Sequence, residues 1–235
     1  MKRTLPQPRT RLLVVGKTGA GKSTEVKEAL RQWLTAGVRI VALDVCDEYS
    51  KEGRETGLVR LGPLRKRVRA SELAAHPAQL LDSRLSLAVV PDEKTAHSAA
   101  RAFLLISALL RHAPSRTLFV ADEVGFWTDG TLGPAPTQAQ RNLVALATNG
   151  RHDGIALVMV AQRASQVPKS ARAQCTEIWA FRQDDPEDVA ALEERIGKRA
   201  EDSARLQVGE CVEWRDDEKP QDKPQDNKLK LVEGA

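Results

Sequence analysis

The sequence of 235 residues contains little cysteine and no long apolar segment. Its three cysteines, Cys46, Cys175 and Cys211, lie far apart and have neither the spacing of a zinc site nor that of a redox pair, so we expect no zinc and no disulfide. The best apolar run, residues 102–110, is about half as long as the roughly 18–20 residues that cross a bilayer. The amino terminus also lacks the apolar stretch of a signal peptide. We therefore expect a cytoplasmic protein with no direct membrane insertion.

Aromatic residues are also scarce, with four tryptophans, four phenylalanines and one tyrosine. Proteins that grip single-stranded nucleic acids stack the bases on aromatic side chains, so this composition disfavours that mode of binding. The net charge of +4 at pH 7 is compatible with nucleic-acid binding but does not require it. If the protein binds nucleic acid, we expect it to hold the phosphates. The four histidines have no ligand spacing, and we assign them no metal role.

Composition divides the chain into three parts. Residues 1–10 contain two prolines and alternating basic and polar residues, which predict a flexible arm. Residues 215–235 include two copies of Lys-Pro-Gln-Asp and nearly balance their charges, which predicts a disordered charged tail. Residues 11–214 contain the apolar runs and form one predicted domain, a little longer than the usual range of roughly 100–200 residues.

Within residues 11–214, apolar runs alternate with stretches of helical periodicity. Strands are predicted at residues 11–15, 38–45, 85–90, 117–121, 155–161, 177–181 and 207–214, and helices at residues 23–35, 71–75, 94–111, 137–148 and 186–196. Residues 125–136 are rich in glycine and proline and predict a loop. This alternation predicts an α/β fold with a mostly parallel sheet and helices on both of its faces.

The first predicted strand is followed by a motif of the form G-x-x-x-x-G-K-[ST], the Walker A motif or P-loop. The candidate phosphate-binding residues are Gly16, Lys17, Thr18, Gly19, Ala20, Gly21, Lys22, Ser23 and Thr24. Between a strand and a helix, such glycines let backbone N–H groups face a phosphate at the positive end of the helix. Lys22 is a candidate to neutralise the β- and γ-phosphates, and Ser23 is a candidate Mg²⁺ ligand. The motif therefore predicts that the protein binds a nucleoside triphosphate.

Two carboxylates end the predicted strand at residues 117–121. Asp122 is a candidate Mg²⁺ ligand opposite Ser23, and Glu123 is a candidate general base for the attacking water. The alternative is a solvated loop after a strand. Asp122 to Gly125 also fits the D-x-x-G motif of small GTPases, but no later N-K-x-D motif selects guanine. Guanine specificity is therefore disfavoured.

Two further candidates flank the apolar run at residues 155–161. Gln162 follows the run and can hydrogen-bond the γ-phosphate or the attacking water, as a sensor of hydrolysis. Arg151 precedes the run, at the opposite end of the predicted strand, so it cannot easily reach the same nucleotide. It could reach the nucleotide of a neighbouring subunit, as an arginine finger supplied in trans. The alternative for Arg151 is a surface cation on a turn.

The order of these motifs resembles that of the FtsK–HerA superfamily of DNA-pumping ATPases over residues 12–181. The residues that carry the resemblance are the P-loop, Leu43-Asp44 with Asp47-Glu48-Tyr49, Val120-Ala121-Asp122-Glu123, Gly150-Arg151-His152 with Gly154, and Gln162-Arg163. The later Gly209-Glu210-Cys211-Val212 resembles the closing hairpin of that family. Because the chain is short and has few accessory segments, it is most similar to the small genome-packaging ATPases of internal-membrane, double-jelly-roll viruses.

The resemblance implies a RecA-like ASCE P-loop NTPase core with ATP and Mg²⁺ as ligands. It also implies a homo-oligomeric ring of five or six subunits with a nucleotide at each interface and double-stranded DNA in the central channel. For a packaging enzyme, capsid vertex or portal proteins are further expected partners, and the location would be the host cytoplasm or the virion vertex. The candidate site residues keep the roles given above.

These observations predict a ring-forming, Mg²⁺-dependent ATPase that translocates double-stranded DNA, with packaging of a viral genome into a capsid as the favoured task. The alternatives are a cellular or plasmid DNA-transfer ATPase of the HerA or FtsK type, a P-loop kinase of small molecules, and an ATP-dependent assembly switch.

Two basic groups are candidates to follow DNA phosphates. They are Arg65, Lys66, Arg67 and Arg69 in the first group, and Arg163, Lys169 and Arg172 in the second. A plain solvated face is the alternative for each.

Overall fold

The apolar runs of the sequence form the strands of one sheet in the structure, a computed structural model that describes residues 3–50, 62–82, 85–113 and 116–216. The strands are β1 (Arg11–Val15), β2 (Arg39–Leu43), β3 (Lys66–Arg69), β4 (Leu87–Val90), β5 (Thr117–Ala121), β6 (Ile155–Ala161), β7 (Glu177–Ala180) and β8 (Val212–Arg215). Their order in the sheet is β3-β4-β2-β5-β6-β1-β7-β8. Neighbouring strands pair in parallel, except β7 and β8, which pair antiparallel. The prediction of a mostly parallel sheet is confirmed.

Helices cover both faces of this sheet. They are α1 (Lys22–Thr35), α2 (Ala70–Ala75), α3 (Ala78–Leu81), α4 (Ala96–Leu110), α5 (Val124–Trp127), α6 (Pro134–Asn149), α7 (Lys169–Arg172), α8 (Pro186–Ile196) and α9 (Arg199–Asp202). Successive side chains of a strand point to opposite faces. In β1, Leu12 and Val14 accordingly join a cluster with α1, whereas Leu13 and Val15 join a larger cluster with α4, α6 and α8. Among the helices of the described residues, none has both the length and the hydropathy that crossing a bilayer requires.

The strand order brings three predicted site segments to one edge of the sheet. β6 lies between β1 and β5, with Val15 beside Ala161 and Ala121 beside Met159. Because parallel strands end at the same edge, the segments that follow β1, β5 and β6 are neighbours. These segments are the P-loop, the carboxylate pair and the segment that begins at Gln162.

Three predicted elements differ from the structure. The predicted loop at residues 125–136 contains α5 and the first turn of α6, because the buried Trp127 anchors α5 and Pro134 suits the first turn of a helix. The basic run lies in strand β3, at the sheet edge, where its one apolar residue, Val68, is buried. Of the predicted strand at residues 207–214, only residues 212–214 form a strand, as the first part of β8. A turn at Gly209, where φ is +89°, interrupts the predicted strand.

The amino-terminal segment packs against the domain at Arg3. The Arg3 guanidinium forms ion pairs of 2.5 Å with both Glu25 in α1 and Glu213 in β8. It also lies 4.1 Å from the ring centre of Trp179. Arg3 is 5% exposed, so this part of the predicted arm is fixed to the domain. Most of the predicted tail, residues 217–235, lies outside the described residues, and the domain boundaries stay predictions.

Candidate active site

The P-loop connects the end of β1 to the start of α1, and glycine is required at both of its ends. Gly16 has a φ of +154°, and a Cβ atom added there would lie 2.5 Å from the Cβ of Phe181. Gly21, the residue that precedes α1, has a φ of +100°. An L-residue with a side chain rarely adopts such values. The sequence therefore bends the backbone tightly just before the amino terminus of a fourteen-residue helix, which is the geometry that favours phosphate binding.

The Lys22 side chain lies on the P-loop itself. It is 7% exposed, and its Nζ donates hydrogen bonds to the carbonyl oxygens of Gly16 and Lys17. Burial lowers the pKa of Lys22, while the charges of Glu123 and Asp122 oppose this shift. The ammonium group thus faces the loop that is predicted to hold phosphates, with two carboxylates close enough to favour its charge.

The closing hairpin also contacts the P-loop, which the sequence did not reveal. The N–H of Gly209 donates to the carbonyl of Ala20 over 3.0 Å. A Cβ atom on Gly21 would lie 3.1 Å from the Cα of Gly209, so the two backbones are in close contact. The turn before β8 therefore supports the P-loop from the side opposite to β6.

The carboxylate pair divides into a buried and a partly exposed member. Asp122 is 5% exposed, and its Oδ1 accepts a 3.1 Å hydrogen bond from the Tyr49 hydroxyl. Burial raises the pKa of Asp122 well above its usual value, and the charges of Asp44 and Glu123 add to this shift. Glu123 has φ and ψ of +48° and +47°, the left-handed region that residues other than glycine seldom occupy. Such backbone strain concentrates at functional sites, where the surrounding structure maintains it.

Gln162 joins the P-loop to Glu123. Its Oε1 accepts a 3.1 Å hydrogen bond from the Thr18 hydroxyl, and its Nε2 donates a 3.1 Å hydrogen bond to Glu123 Oε1. The backbone carbonyl of Gln162 accepts a further bond of 2.9 Å from the buried side chain of Gln183. The structure therefore brings together the candidate sensor, the candidate base and the phosphate-binding loop, and Gln183 holds the sensor in place.

Asp44 and Tyr49 are part of this network, although sequence analysis assigned them no role beyond the family resemblance. The Asp44 carboxylate accepts 2.8 Å hydrogen bonds from the N–H groups of Glu48 and Tyr49, which folds the segment after β2. This fold points the Tyr49 hydroxyl at Asp122. Burial raises the pKa of Asp44 to about 6, despite these two hydrogen bonds. The available signal was the polar run that ends β2, which includes the chain's one tyrosine.

The structure does not bring Arg151 to this site. Arg151 lies in the turn before β6, whereas Gln162 follows β6, and seven strand residues separate the two ends by about 20 Å. The Arg151 side chain is exposed, and its Nε contacts His152 Nε2 at 3.4 Å. Arg151 therefore lies too far from the P-loop of this chain to act there, and its role at a neighbouring subunit stays a prediction.

The second basic group is largely neutralised. Arg163 pairs with Asp188 at 3.0 Å, and Lys169 pairs with Glu194 at 2.8 Å. Arg172 is 6% exposed and donates to backbone carbonyls. The hypothesis that this group follows DNA phosphates is therefore weakened, because the acidic face of α8 occupies its charges.

The first basic group keeps more free charge. Arg67 forms a bidentate pair with Asp47, with distances of 2.8 and 3.0 Å. Arg65 and Arg69 are exposed, and Lys66 is half-buried on the edge strand β3. Of the two groups, this one is better placed to contact an anionic partner.

Comparison with known proteins gives one family model and several similar folds. The model that describes the central domain of the helicase HerA matches residues 9–117. The genome packaging NTPase B204 of Sulfolobus turreted icosahedral virus 2, in complex with AMPPCP, superposes with a TM-score of 0.62 and 16% identity, over 88% of this chain and 93% of that chain. The resemblance to the FtsK–HerA superfamily is confirmed. No curated protein matches the amino-acid sequence significantly.

Two further solved structures have a similar fold. VirB4 of Thermoanaerobacter pseudethanolicus superposes with a TM-score of 0.60 and 13% identity, over 87% of this chain and 86% of that chain. The conjugation coupling protein TcpA of pCW3 superposes with a TM-score of 0.56 and 18% identity, over 89% of this chain and 58% of that chain. At these identities the superpositions show the fold, and the predicted α/β RecA-like P-loop core is confirmed.

Proposed function

We propose that the protein is a ring-forming, Mg²⁺-dependent ATPase that translocates double-stranded DNA and packages a viral genome into a capsid. The proposal of ATP hydrolysis rests on the hydrogen-bonded path from Thr18 through Gln162 to Glu123. This path connects the loop that holds phosphates to the residue that would polarise the attacking water. The packaging part is supported by the superposition on B204, whose whole length this chain nearly spans.

The residues at the site suit ATP with Mg²⁺. The Ser23 hydroxyl and the Asp122 carboxylate are the hard oxygen donors that Mg²⁺ prefers. Asp122 is buried near two other carboxylates, and a cation beside it would favour its charged form. The metal would neutralise charge on the phosphates, while Lys22 binds them and Glu123 orients the water.

Each subunit also presents Arg151 at the edge of the sheet opposite its own P-loop. In a ring, one subunit's Arg151 would complete the site of the next, which requires a head-to-tail interface. The ring would contain five or six subunits around the DNA, in the host cytoplasm or at the virion vertex, with capsid vertex or portal proteins as partners. The similarity in fold to TcpA, a conjugation coupling protein, favours a second candidate, a DNA-transfer ATPase.

The test is ATP hydrolysis by the purified protein with and without linear double-stranded DNA over a series of salt concentrations. Glu123→Gln serves as the blank, and Glu193→Gln, on the exposed face of α8, is the matched control. We expect several-fold stimulation by DNA that declines as salt rises, since phosphate contacts release counterions. Turnover that DNA does not stimulate would contradict a DNA motor. Tight ATP binding without turnover would instead support an assembly switch.

A further inference from the structure

Arg11, the first residue of β1, has a buried guanidinium that binds four backbone carbonyls. It is 2% exposed. Its Nε donates to Ala147 over 2.7 Å, and its Nη1 donates to Ile155 over 3.0 Å. The same Nη1 donates to Pro8 over 2.9 Å and to Thr10 over 2.8 Å. One side chain thus joins the end of α6, the start of β6 and the segment before β1.

These acceptors enclose the turn that carries Arg151. Ala147 lies in the last turn of α6 and Ile155 opens β6, so Arg11 holds both ends of the turn at residues 150–154. The turn also contacts Arg11 directly, since a Cβ atom on Gly150 would lie 3.3 Å from Arg11 Nη2. Among the described residues, no atom accepts a hydrogen bond from this Nη2.

The position of Arg11 is costly for the fold. Burial lowers the pKa of Arg11 to about 10, and the nearby charge of Arg151 contributes to the shift. A buried cation without a carboxylate partner is less favourable than an apolar side chain of the same size. Stability of the sheet alone therefore does not explain an arginine here, whereas a need to fix the neighbouring turn does.

The surface beside Arg11 is a shallow, open groove with a cation on each side. It is lined by Gln7, Pro8, Arg9, Arg151 and His152 and has a volume of about 550 Å³. Arg9 and Arg151 are both exposed, and neither forms an ion pair with a carboxylate of the described residues. Arg11 binds Pro8 in one wall, and it binds Ala147 and Ile155, which flank the turn that forms the other wall.

We propose that Arg11 is a positioning residue for Arg151: it fixes the turn at residues 150–154 so that the groove presents Arg151 to the triphosphate of a neighbouring subunit. This inference rests on the proposed function, because it requires that Arg151 act in trans. It predicts that loss of Arg11 impairs the finger that a subunit donates and leaves that subunit's own nucleotide site intact.

The test uses mixed rings of two variants. Arg11→Met keeps the volume of the side chain and removes its hydrogen bonds. Arg39→Met is the matched control, because Arg39 is equally a buried arginine that donates to Thr117 and to backbone carbonyls, at the amino end of β2. We expect Arg11→Met rings to lose about 10-fold or more of their ATP turnover, up to the roughly 10³- to 10⁵-fold that an absent arginine finger costs, and Arg39→Met rings to retain theirs.

The decisive readout is which partner restores turnover. An equal mixture of Arg11→Met with Glu123→Gln should recover up to about a quarter of wild-type turnover, since that share of interfaces pairs an intact site with an intact finger. An equal mixture of Arg11→Met with Arg151→Ala should recover none, because both variants lack the finger. A merely structural loss would be restored by neither partner.

Three results would overturn the proposal. The first is wild-type turnover of Arg11→Met rings. The second is that Glu123→Gln restores the turnover of Arg151→Ala in mixed rings but not that of Arg11→Met. That result would still support the trans finger of the proposed function. The third is failure to restore Arg151→Ala as well, which would refute the trans finger itself.

A second variant covers the case in which Arg11→Met does not fold. Gly150→Ala retains Arg11 but places a methyl group 2.7 Å from the Leu146 carbonyl oxygen and 3.3 Å from Arg11 Nη2, so the turn must shift. We expect the same pattern of restoration from Gly150→Ala. Wild-type turnover of its rings would show that the geometry of this turn does not matter, and would overturn the proposal.

Discussion

The two ends of β6 differ in how many hydrogen bonds the chain itself makes to the functional side chain found there. At the carboxyl end, Gln162 is hydrogen-bonded to Thr18, to Glu123 and to the side chain of Gln183. At the amino end, Arg151 is exposed, and among the side chains of the described residues it forms a hydrogen bond with its neighbour His152 alone. At the carboxyl end, the groups of the site are hydrogen-bonded to one another. At the amino end, the cation has no carboxylate partner among the described residues.

This difference separates the groups that a single chain brings together from Arg151, which the same chain leaves exposed. Residues that are predicted to act at the phosphates are held within one chain by hydrogen bonds of 2.9 to 3.1 Å. The cation at the other end lies on a turn that is closed by its own backbone hydrogen bonds and bound at both flanks by Arg11. In the proposed ring, a subunit would present a nearly complete site at one edge of the sheet and the missing charge at the other, through repeated head-to-tail contacts.

Of the variants at the carboxyl end of β6, Lys22→Ala is expected to have the largest effect. The variant removes the ammonium group that lies on the P-loop, and we expect nucleotide affinity to fall by at least about 100-fold, since charge-assisted contacts with two phosphates are lost. Calorimetric titration with an ATP analogue measures the effect. Lys198→Ala, an exposed lysine between α8 and α9, is the control and should bind normally. Retained affinity in Lys22→Ala would contradict the role of the loop.

Glu123→Gln is expected to separate binding from turnover. Removing a general base typically costs about 100- to 10,000-fold in rate, while the amide still fits the site and leaves the P-loop unchanged. Single-turnover hydrolysis and analogue binding, measured on the same preparation, give the two quantities. A loss of turnover below about 10-fold would show that another group activates the water.

Gln162→Ala should have a smaller effect, because it removes a bridge but leaves the base. We expect turnover to fall by about 10- to 100-fold and affinity to change little, since the hydrogen bonds from Thr18 and to Glu123 are both lost. Gln174→Ala, at an exposed position before β7, is the control. Equal losses in affinity and turnover would mean that Gln162 shapes the P-loop and does not sense hydrolysis.

Tyr49→Phe is expected to have the smallest effect. The Tyr49 hydroxyl donates to Asp122 and so favours its charged form, which lowers the pKa that burial has raised. Without this bond the pKa of Asp122 rises further. The Mg²⁺ concentration for half-maximal turnover should then increase by about 5-fold, in line with the loss of one hydrogen bond of about 1 kcal/mol. The acid limb of the pH profile should move to higher pH. An unchanged Mg²⁺ requirement would argue against Asp122 as a metal ligand.

The sequence predicted the site at the carboxyl end of β6 more completely than the surroundings of Arg151 at the amino end. Strand and helix periodicity placed Gly16, Asp122 and Gln162 after three parallel strands, and parallel strands end together. Periodicity could not reveal that Tyr49 reaches Asp122, because that contact depends on how the Asp44 carboxylate folds the segment after β2. Nor could it show that Arg11 binds four carbonyls, since those acceptors come together only in the folded chain.

The basic groups illustrate the same limit. The sequence shows the charges of Arg163 and Lys169 but not their partners. The acidic residues that neutralise these charges lie some twenty-five positions further along the chain, in α8. Arg67 is likewise paired with Asp47, twenty residues away. A run of charge in a sequence therefore says little about free charge on a surface, because long-range pairing decides it.

The most direct test of the divided site is ATP turnover in mixed rings of Glu123→Gln and Arg151→Ala. Each variant alone should be nearly inactive, since the first lacks the base and the second lacks the cation. An equal mixture should recover about a quarter of wild-type turnover, because that share of interfaces combines an intact base with an intact arginine from the neighbour. A mixture as inactive as its two components, at matched assembly, would contradict the account that the two ends of β6 serve different sites.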